Sequence, residues 1–189
     1  MTDVERLFHA YHAPLVRYLT RRLGDRDWAE EVAQETFVRA LRHGEAGTGP
    51  SPAKERSWLF AVATNLVRDE ARKDARRRRH LELLRGDAEA ARVESPALVY
   101  ESAEERAREA ALARRAVDAL AERDRLALLM REEGLDYGEI AEALGLSVGS
   151  VGTTLARARR RLVEHYEVLA GGRAPGTKPA DAGRGAHAS

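Results

Sequence analysis

No cysteine occurs anywhere in the chain, so disulfides, cysteine–zinc sites and a thiol redox switch of its own are excluded. Aromatic residues make up only 5%, so any core must be filled mainly by aliphatic side chains. No apolar run approaches the ~18 residues of a bilayer-spanning helix. The opening stretch M-T-D-V-E-R-L-F-H-A-Y-H also lacks the apolar centre of a secretory leader. The expectation is a soluble, cytoplasmic protein with no membrane insertion. His9, His12, His43, His80 and His165 stand at no metal-ligand spacing with acids, and no nucleophile–base pattern is present. Neither an enzyme, a metal site nor a cofactor is expected.

Charge is abundant, at 33% of residues, and the net charge of only +1, from 32 basic against 31 acidic residues, hides a sorting of the two signs into separate blocks. Alanine, arginine, leucine and glutamate dominate, which favours an all-α fold. Leu7, Tyr11, Leu15, Leu19 and Leu23 recur every fourth residue, with Phe8 and Val16 beside them, and predict one amphipathic helix. Gly24-Asp25 ends it, and Asp27 is the expected N-cap of the next. In that helix Ala29, Val32, Ala33, Thr36, Phe37, Ala40 and Leu41 hold three-four spacing and are expected inside. A loop rich in breakers follows from Gly44 to Pro52. A third helix then turns Trp58, Leu59, Val62, Ala63 and Leu66 inward and runs on into R-K-D-A-R-R-R-R. These blocks predict a first helical domain over 1–80, an acidic linker over 81–110 and a second helical domain over 111–169. The Gly-, Ala- and Pro-rich tail, 170–189, is expected to be disordered.

The stretch D-Y-G-E-I-A-E-A-L-G-L-S-V-G-S-V-G-T-T-L has the grammar of a helix-turn-helix. Ile140 and Leu144 face inward, Ala141 is small where two helices cross, and Gly145 supplies a positive φ at the turn. Leu146 plugs the core, Ser147 is the expected N-cap, and Val151, Leu155, Ala158 and Leu162 line the buried side of the second helix. At about 100° per residue, Gly152, Thr153, Ala156, Arg157 and Arg160 then fall outside or on the flank. In a docked helix of this kind, early residues meet base edges and later cations meet phosphates. Thr153 and Arg157 are the candidates for base contact, and Arg159, Arg160 and Arg161 for the backbone. A second basic cluster spans Asn65 to Arg79, with Asn65, Arg68, Asp69, Arg72 and Arg76 on or near one helical face. Asp69 and Lys73, spaced i,i+4, are expected to pair at the surface.

Two strings make the chain recognisable. A-E-E-V-A-Q-E-T-F-V-R-A-L-R followed by R-S-W-L-F-A-V-A-T-N-L-V-R-D-E-A-R resembles region 2 of extracytoplasmic-function (ECF) sigma factors. The segment from A-L-A-E-R-D-R-L to A-R-A-R-R-R-L resembles their region 4, in the same order and after a linker of fitting length. The resemblance implies a factor that binds core RNA polymerase, carries it to a promoter and helps open the DNA. Gln34, Glu35, Arg39 and Arg42 would dock on the β′ clamp coiled coil, and region 4 would meet the β flap. Asn65, Arg68, Asp69, Arg72, Lys73 and Arg76 would meet the −10 element. The Gly44 to Ser57 loop would hold an extruded base, while Trp58 is expected to pack in the core. Ser150, Gly152, Thr153, Ala156, Arg157, Arg159, Arg160 and Arg161 would meet the −35 element. The acidic linker, with Glu89, Glu94, Glu101 and Glu104, would thread the polymerase cleft, and an anti-sigma factor is an expected partner.

The chain also departs from its family. Where members commonly read G-T-V-K-S-R-L, it reads G-S-V-G-T-T-L, so Gly152 and Thr154 replace two cations near the start of the reading helix. A −35 preference of its own is expected, with Arg157 carrying most direct readout. A regulator working without polymerase has no need of the Asn65 to Arg79 helix, and a helical adaptor leaves both basic clusters unexplained.

Overall fold

The computed structural model describes residues 3–45, 48–84 and 101–171, and among these the chain is all-α, with seven α-helices and no strand. The sequence-predicted tail and the middle of the linker fall outside those residues. Helix covers both ends of the 81–110 segment, since the third helix runs to Leu84 and the fourth starts at Glu101. No helix among the described residues is long and apolar enough to cross a membrane.

The first domain begins with a hairpin of α1 (Asp3–Leu23) and α2 (Arg26–Glu45). Gly24, at φ +74°, makes the sharp exit from α1, and its N–H donates to the Thr20 carbonyl at 2.8 Å. The cap of α2 is Asp25 rather than the expected Asp27: its Oδ1 accepts the Trp28 N–H at 3.1 Å. The left-handed glycine brings the preceding carboxylate over the open N–H groups, leaving Asp27 inside the first turn. Val32, Ala33, Thr36, Phe37 and Ala40 are buried as expected, but Leu41 is 43% exposed. The buried face at this end of α2 is carried by Phe37 and Ala40 instead.

A 3-10 turn at Pro52–Lys54 leads into α3 (Glu55–Leu84), which lays Leu59, Phe60, Ala63 and Val67 across the hairpin. Trp58 is partly buried against that core, with His43 edge-on at 5.4 Å. A polar tie crosses the interior between α1 and α3. Tyr18 and Thr64 are both fully buried, and their hydroxyls bond at 2.8 Å between α1 and α3. Burial raises the Tyr18 phenol above its ordinary value, although Arg22 and the bond to Thr64 pull the other way. Tyr18→Phe strands the Thr64 hydroxyl without water, so urea unfolding should show a loss of about 1–2 kcal/mol.

The second domain comprises α4 (Glu101–Asp118), α5 (Glu122–Glu132), α6 (Tyr137–Leu144) and α7 (Val148–Leu169). Asp136 and Glu139 cap α6 reciprocally, each carboxylate accepting the other's backbone N–H at 2.8 Å. Gly145 sits at φ +65°, and the Leu146 N–H closes the turn on the Ala141 carbonyl at 2.8 Å. Leu126, Met130, Leu135, Ile140, Val151, Leu155 and Ala158 exclude solvent completely. Ser147 holds the N-cap position of α7 without a side-chain cap; its carbonyl instead accepts the Ser150 N–H and hydroxyl. Leu162, expected inside, is half-buried because the packed face of α7 ends at Ala158.

Candidate nucleic-acid interface

The helix-turn-helix presents α7 with Thr153, Ala156, Arg159 and Arg160 exposed along one side. Gly152 is partly covered: a Cβ placed on it would sit 3.5 Å from Tyr137 Cε2, an ordinary contact. The glycine is therefore not demanded by packing. Thr154 is buried, so the second missing cation lies at a core-facing position, and the bareness of the outer front rests on Gly152. Thr153 and Ser150 turn their hydroxyls back onto the helix, donating to the carbonyls of Ser150 and Ser147 at 2.9 and 2.7 Å. Arg160 lies 3.7 Å from Glu164, an exposed pair that phosphates would displace at little cost.

Arg157 differs from the freely reaching reader expected of it. Its Nε and Nη2 donate to the two oxygens of Asp124 at 2.9 and 2.5 Å, and Arg161 approaches the same carboxylate at 3.6 Å. Asp124 is 1% exposed, on the first turn of α5. A buried carboxylate requires cationic partners, and the fork of Arg157 meets that need. The Arg157 hydrogen bond holds the Asp124 carboxyl below its ordinary value against the opposing effect of burial, and the charges of Arg157, Arg161 and Arg123 add to it. The bond and charge of Asp124 correspondingly raise the Arg157 guanidinium. With Nε and Nη2 both engaged on Asp124, the orientation of the Arg157 guanidinium is fixed from within the domain. Asp124 was missed in the sequence because E-R-D-R reads as a solvated charge run.

On α3, Asn65, Asp69, Arg72 and Lys73 are exposed, and the backbone carries Arg76 onward along the same helix. The expected Asp69–Lys73 pair is replaced by two i,i+3 pairs: Arg72 to Asp69 and Lys73 to Glu70, each 3.3 Å. Arg68 bonds Glu122 of the second domain at 3.0 Å. Burial alone would raise the Glu122 carboxyl, but the bond from Arg68 and the charges of Arg68, Arg22 and Arg125 hold it below its ordinary value. The loop expected to grip a base is shorter than Gly44 to Ser57, because Glu55, Arg56 and Ser57 already belong to α3.

The outer side of α2 brings Gln34 and Arg42 together at the surface, with Glu35 and Arg39 paired at 3.0 Å on its flank. Between them lie Val38 and Leu41, exposed at 39% and 43%. This apolar centre in a polar rim was not legible in the sequence, where Leu41 continued the inward spacing and Val38 broke it. His12 contacts Glu30 at 3.2 Å and stacks on Phe8, and no cluster of metal-ligating side chains occurs among the described residues.

Comparison with known proteins places these features in a family. The model of sigma-70 region 2 matches residues 7–77, and that of sigma-70 region 4 matches residues 110–162. The ferric citrate uptake sigma factor FecI of Escherichia coli K12 is 33% identical over 162 residues, covering 85% of this chain and 87% of that protein. The RNA polymerase sigma factor YlaC of Bacillus subtilis is 31% identical over 164 residues, covering 85% and 90%. Among solved structures, the sigma factor RpoE of Bartonella quintana, in complex with the anti-sigma factor NepR, superimposes with a TM-score of 0.65. That match covers 89% of this chain and 99% of that one at 19% identity, a likeness of fold.

Proposed function

Because the chain belongs to the sigma-70 family, among its ECF members, with regions 2 and 4 in one piece, we propose a division of labour among its exposed faces. As a sigma factor it serves RNA polymerase in promoter recognition and is not an enzyme. The observation that carries the finer reading is the pairing of a solvent-facing reading helix, α7, in the second domain with a basic, amide-bearing α3 in the first. Thr153 and Ala156 meet base edges of the −35 element, with Ser150 and Gly152 at the leading end. Arg159, Arg160 and Arg161 meet phosphates, and Arg157 contributes from a fixed position. Asn65, Arg68, Asp69, Arg72, Lys73 and Arg76 serve the −10 element, where strand separation lets a base be held beside a cationic helix.

Core polymerase docks on α2 through Gln34, Glu35, Arg39 and Arg42, with Val38 and Leu41 as the apolar centre that such an interface requires. The β′ clamp coiled coil is the surface it meets, and the β flap receives the second domain. An anti-sigma factor covering these faces completes the set of partners; a cytoplasmic location follows from the work with polymerase. Mixing the chain with core polymerase and resolving the mixture by gel filtration tests the docking. Co-elution at one-to-one stoichiometry supports it, and separate elution of both folded components contradicts it.

The bare front of α7 gives a further expectation. Gly152→Lys adds a cation where the Cβ already has room and removes a glycine cost of up to ~1 kcal/mol. DNA affinity should rise for cognate and scrambled −35 sites alike. The salt dependence should steepen by about 0.9 in log–log slope, as expected for one more phosphate contact. An unchanged slope places position 152 away from the backbone.

A further inference from the structure

From Val148 to Ala156 no residue of α7 carries a charge, and the first cation, Arg157, is bonded to Asp124. The hydroxyl protons of this stretch are committed as well. Ser150 and Thr153 donate theirs to the carbonyls of Ser147 and Ser150 at 2.7 and 2.9 Å. What this end of the helix turns outward is therefore hydrocarbon. Val148 is 57% exposed, and Tyr137, at the start of α6, stands exposed at the same end of the helix-turn-helix. Tyr137 closes over position 152, and Arg131 lies 5.8 Å from the centre of its ring, which ties the ring to the domain. Thr153 and Ala156 follow on the outer side, both exposed. Gly149 opens that side further: a Cβ there would meet nothing within 4 Å, and its backbone is ordinary right-handed helix, so neither packing nor conformation demands the glycine.

Each base shows the major groove a different chemistry. Guanine offers two acceptors and is matched by a guanidinium or ammonium, adenine pairs an acceptor with a donor and is matched by an amide, and cytosine offers an amine that calls for a carboxylate. Val148 to Ala156 includes none of these groups. Hydrocarbon pressed on those polar edges leaves their hydrogen-bonding groups unpaired, which disfavours them. Thymine alone adds an apolar group, its C5 methyl, which a methyl-bearing side chain covers with gain. Its O4 and the paired adenine stay within reach of bridging water.

We infer that the front of α7 selects thymine by covering its C5 methyl with the methyl groups of Val148, Thr153 and Ala156, and that the −35 element served by this chain carries thymines opposite these residues. This selection rests on the promoter-binding reading above and names the base chemistry that the same site takes. Affinity and choice are then divided along the helix. Arg159, Arg160 and Arg161 supply charge that is blind to sequence, while the uncharged front, brought close by Gly149, discriminates through apolar contact. The Thr153 hydroxyl, tied to the Ser150 carbonyl, fixes the rotamer from which its methyl reaches the groove.

Replacing thymine by deoxyuridine, which pairs alike and lacks only the methyl, tests this directly. The probe is a promoter fragment whose −35 sequence comes from initiation sites mapped with core polymerase and the chain. Each thymine of that element, on either strand, is replaced in turn, and binding by the complex of chain and core polymerase is measured. At least one replacement should weaken binding roughly 3–5-fold, the loss expected for one buried methyl group. Replacements outside both promoter elements should leave it unchanged. Thr153→Ser keeps the hydroxyl that bonds the Ser150 carbonyl and removes only a methyl. It should erase the sensitivity at one thymine while binding the corresponding deoxyuridine fragment as the parent does. A −35 element without thymine, or deoxyuridine fragments bound as tightly as the parent fragment at every position, overturns the inference and leaves the sigma-factor reading standing, since initiation itself supplied the probe. Sensitivity that persists undiminished in Thr153→Ser, Val148→Ser and Ala156→Gly alike overturns it too, because other groups then cover the methyl. No initiation on any fragment removes the promoter-binding reading and this inference with it.

Discussion

Asp124→Ala should cost the protein its −35 discrimination while leaving it a good binder of DNA in general. The side chain lies beneath the reading helix, buried, and holds Arg157 through two bonds and Arg161 through charge. Its removal frees two guanidinium groups at the DNA-facing end of the domain and deletes a negative charge. Affinity for scrambled DNA should therefore hold or rise, while the ratio of cognate to scrambled binding falls several-fold. A purely structural role would lower both affinities together. Asp124→Asn, which keeps an acceptor for one Arg157 N–H, should recover part of the ratio. Stability should also drop by about 1.5–3 kcal/mol, the range for a hydrogen bond to a charged group. The lower end applies, because both arginines keep contact with water.

The pH dependence of that loss has a definite sign. The folded-state pKa of Asp124 is depressed, so its contribution is fully present above the unfolded value of about 3.9 and disappears as pH falls through the lower folded value. The stability gap between parent and Asp124→Ala should be constant near neutrality. It should close only under acid, below the usual carboxylate range. A gap that closes near neutral pH points to a different titrating group.

Leu41→Glu should remove core-polymerase binding with little effect on folding. Leu41 is among the exposed large apolar side chains, beside Val38 on the outer face of α2. An apolar anchor at the centre of a polar rim typically contributes about 2 kcal/mol or more, a factor of ~30 in affinity. Val38→Glu should act in the same direction. Thermal unfolding and binding to −35 DNA should stay close to the parent values, since neither the core nor α7 is touched. If Leu41→Glu binds polymerase as the parent does, the docking face lies elsewhere.

The helices were legible because each buries one side against a partner, and the three-four spacing records that side. The turn at Gly145 was legible for a similar reason: a positive φ leaves few residue choices. What escaped the sequence depends on where helices part or on which of several chemically equal partners is nearest. Leu41 continues the spacing of α2, yet it stands 43% exposed while Ala40 beside it is buried. Asp25 and Asp27 are equally able to cap, and the geometry of Gly24 decides between them. Arg157 belongs to a run of arginines that differ only in register, and register alone sets it opposite Asp124, which is distant in sequence.

The sigma-factor assignment meets its most direct test in transcription. Core polymerase alone, and core polymerase with this chain, are given a library of genomic fragments, and the RNA 5′ ends are mapped. New initiation should appear only with the chain present, at discrete sites that share a common element near −35 and another near −10. It should be lost with Leu41→Glu. Folded chain that co-elutes with polymerase yet directs no initiation at any fragment would contradict the central claim.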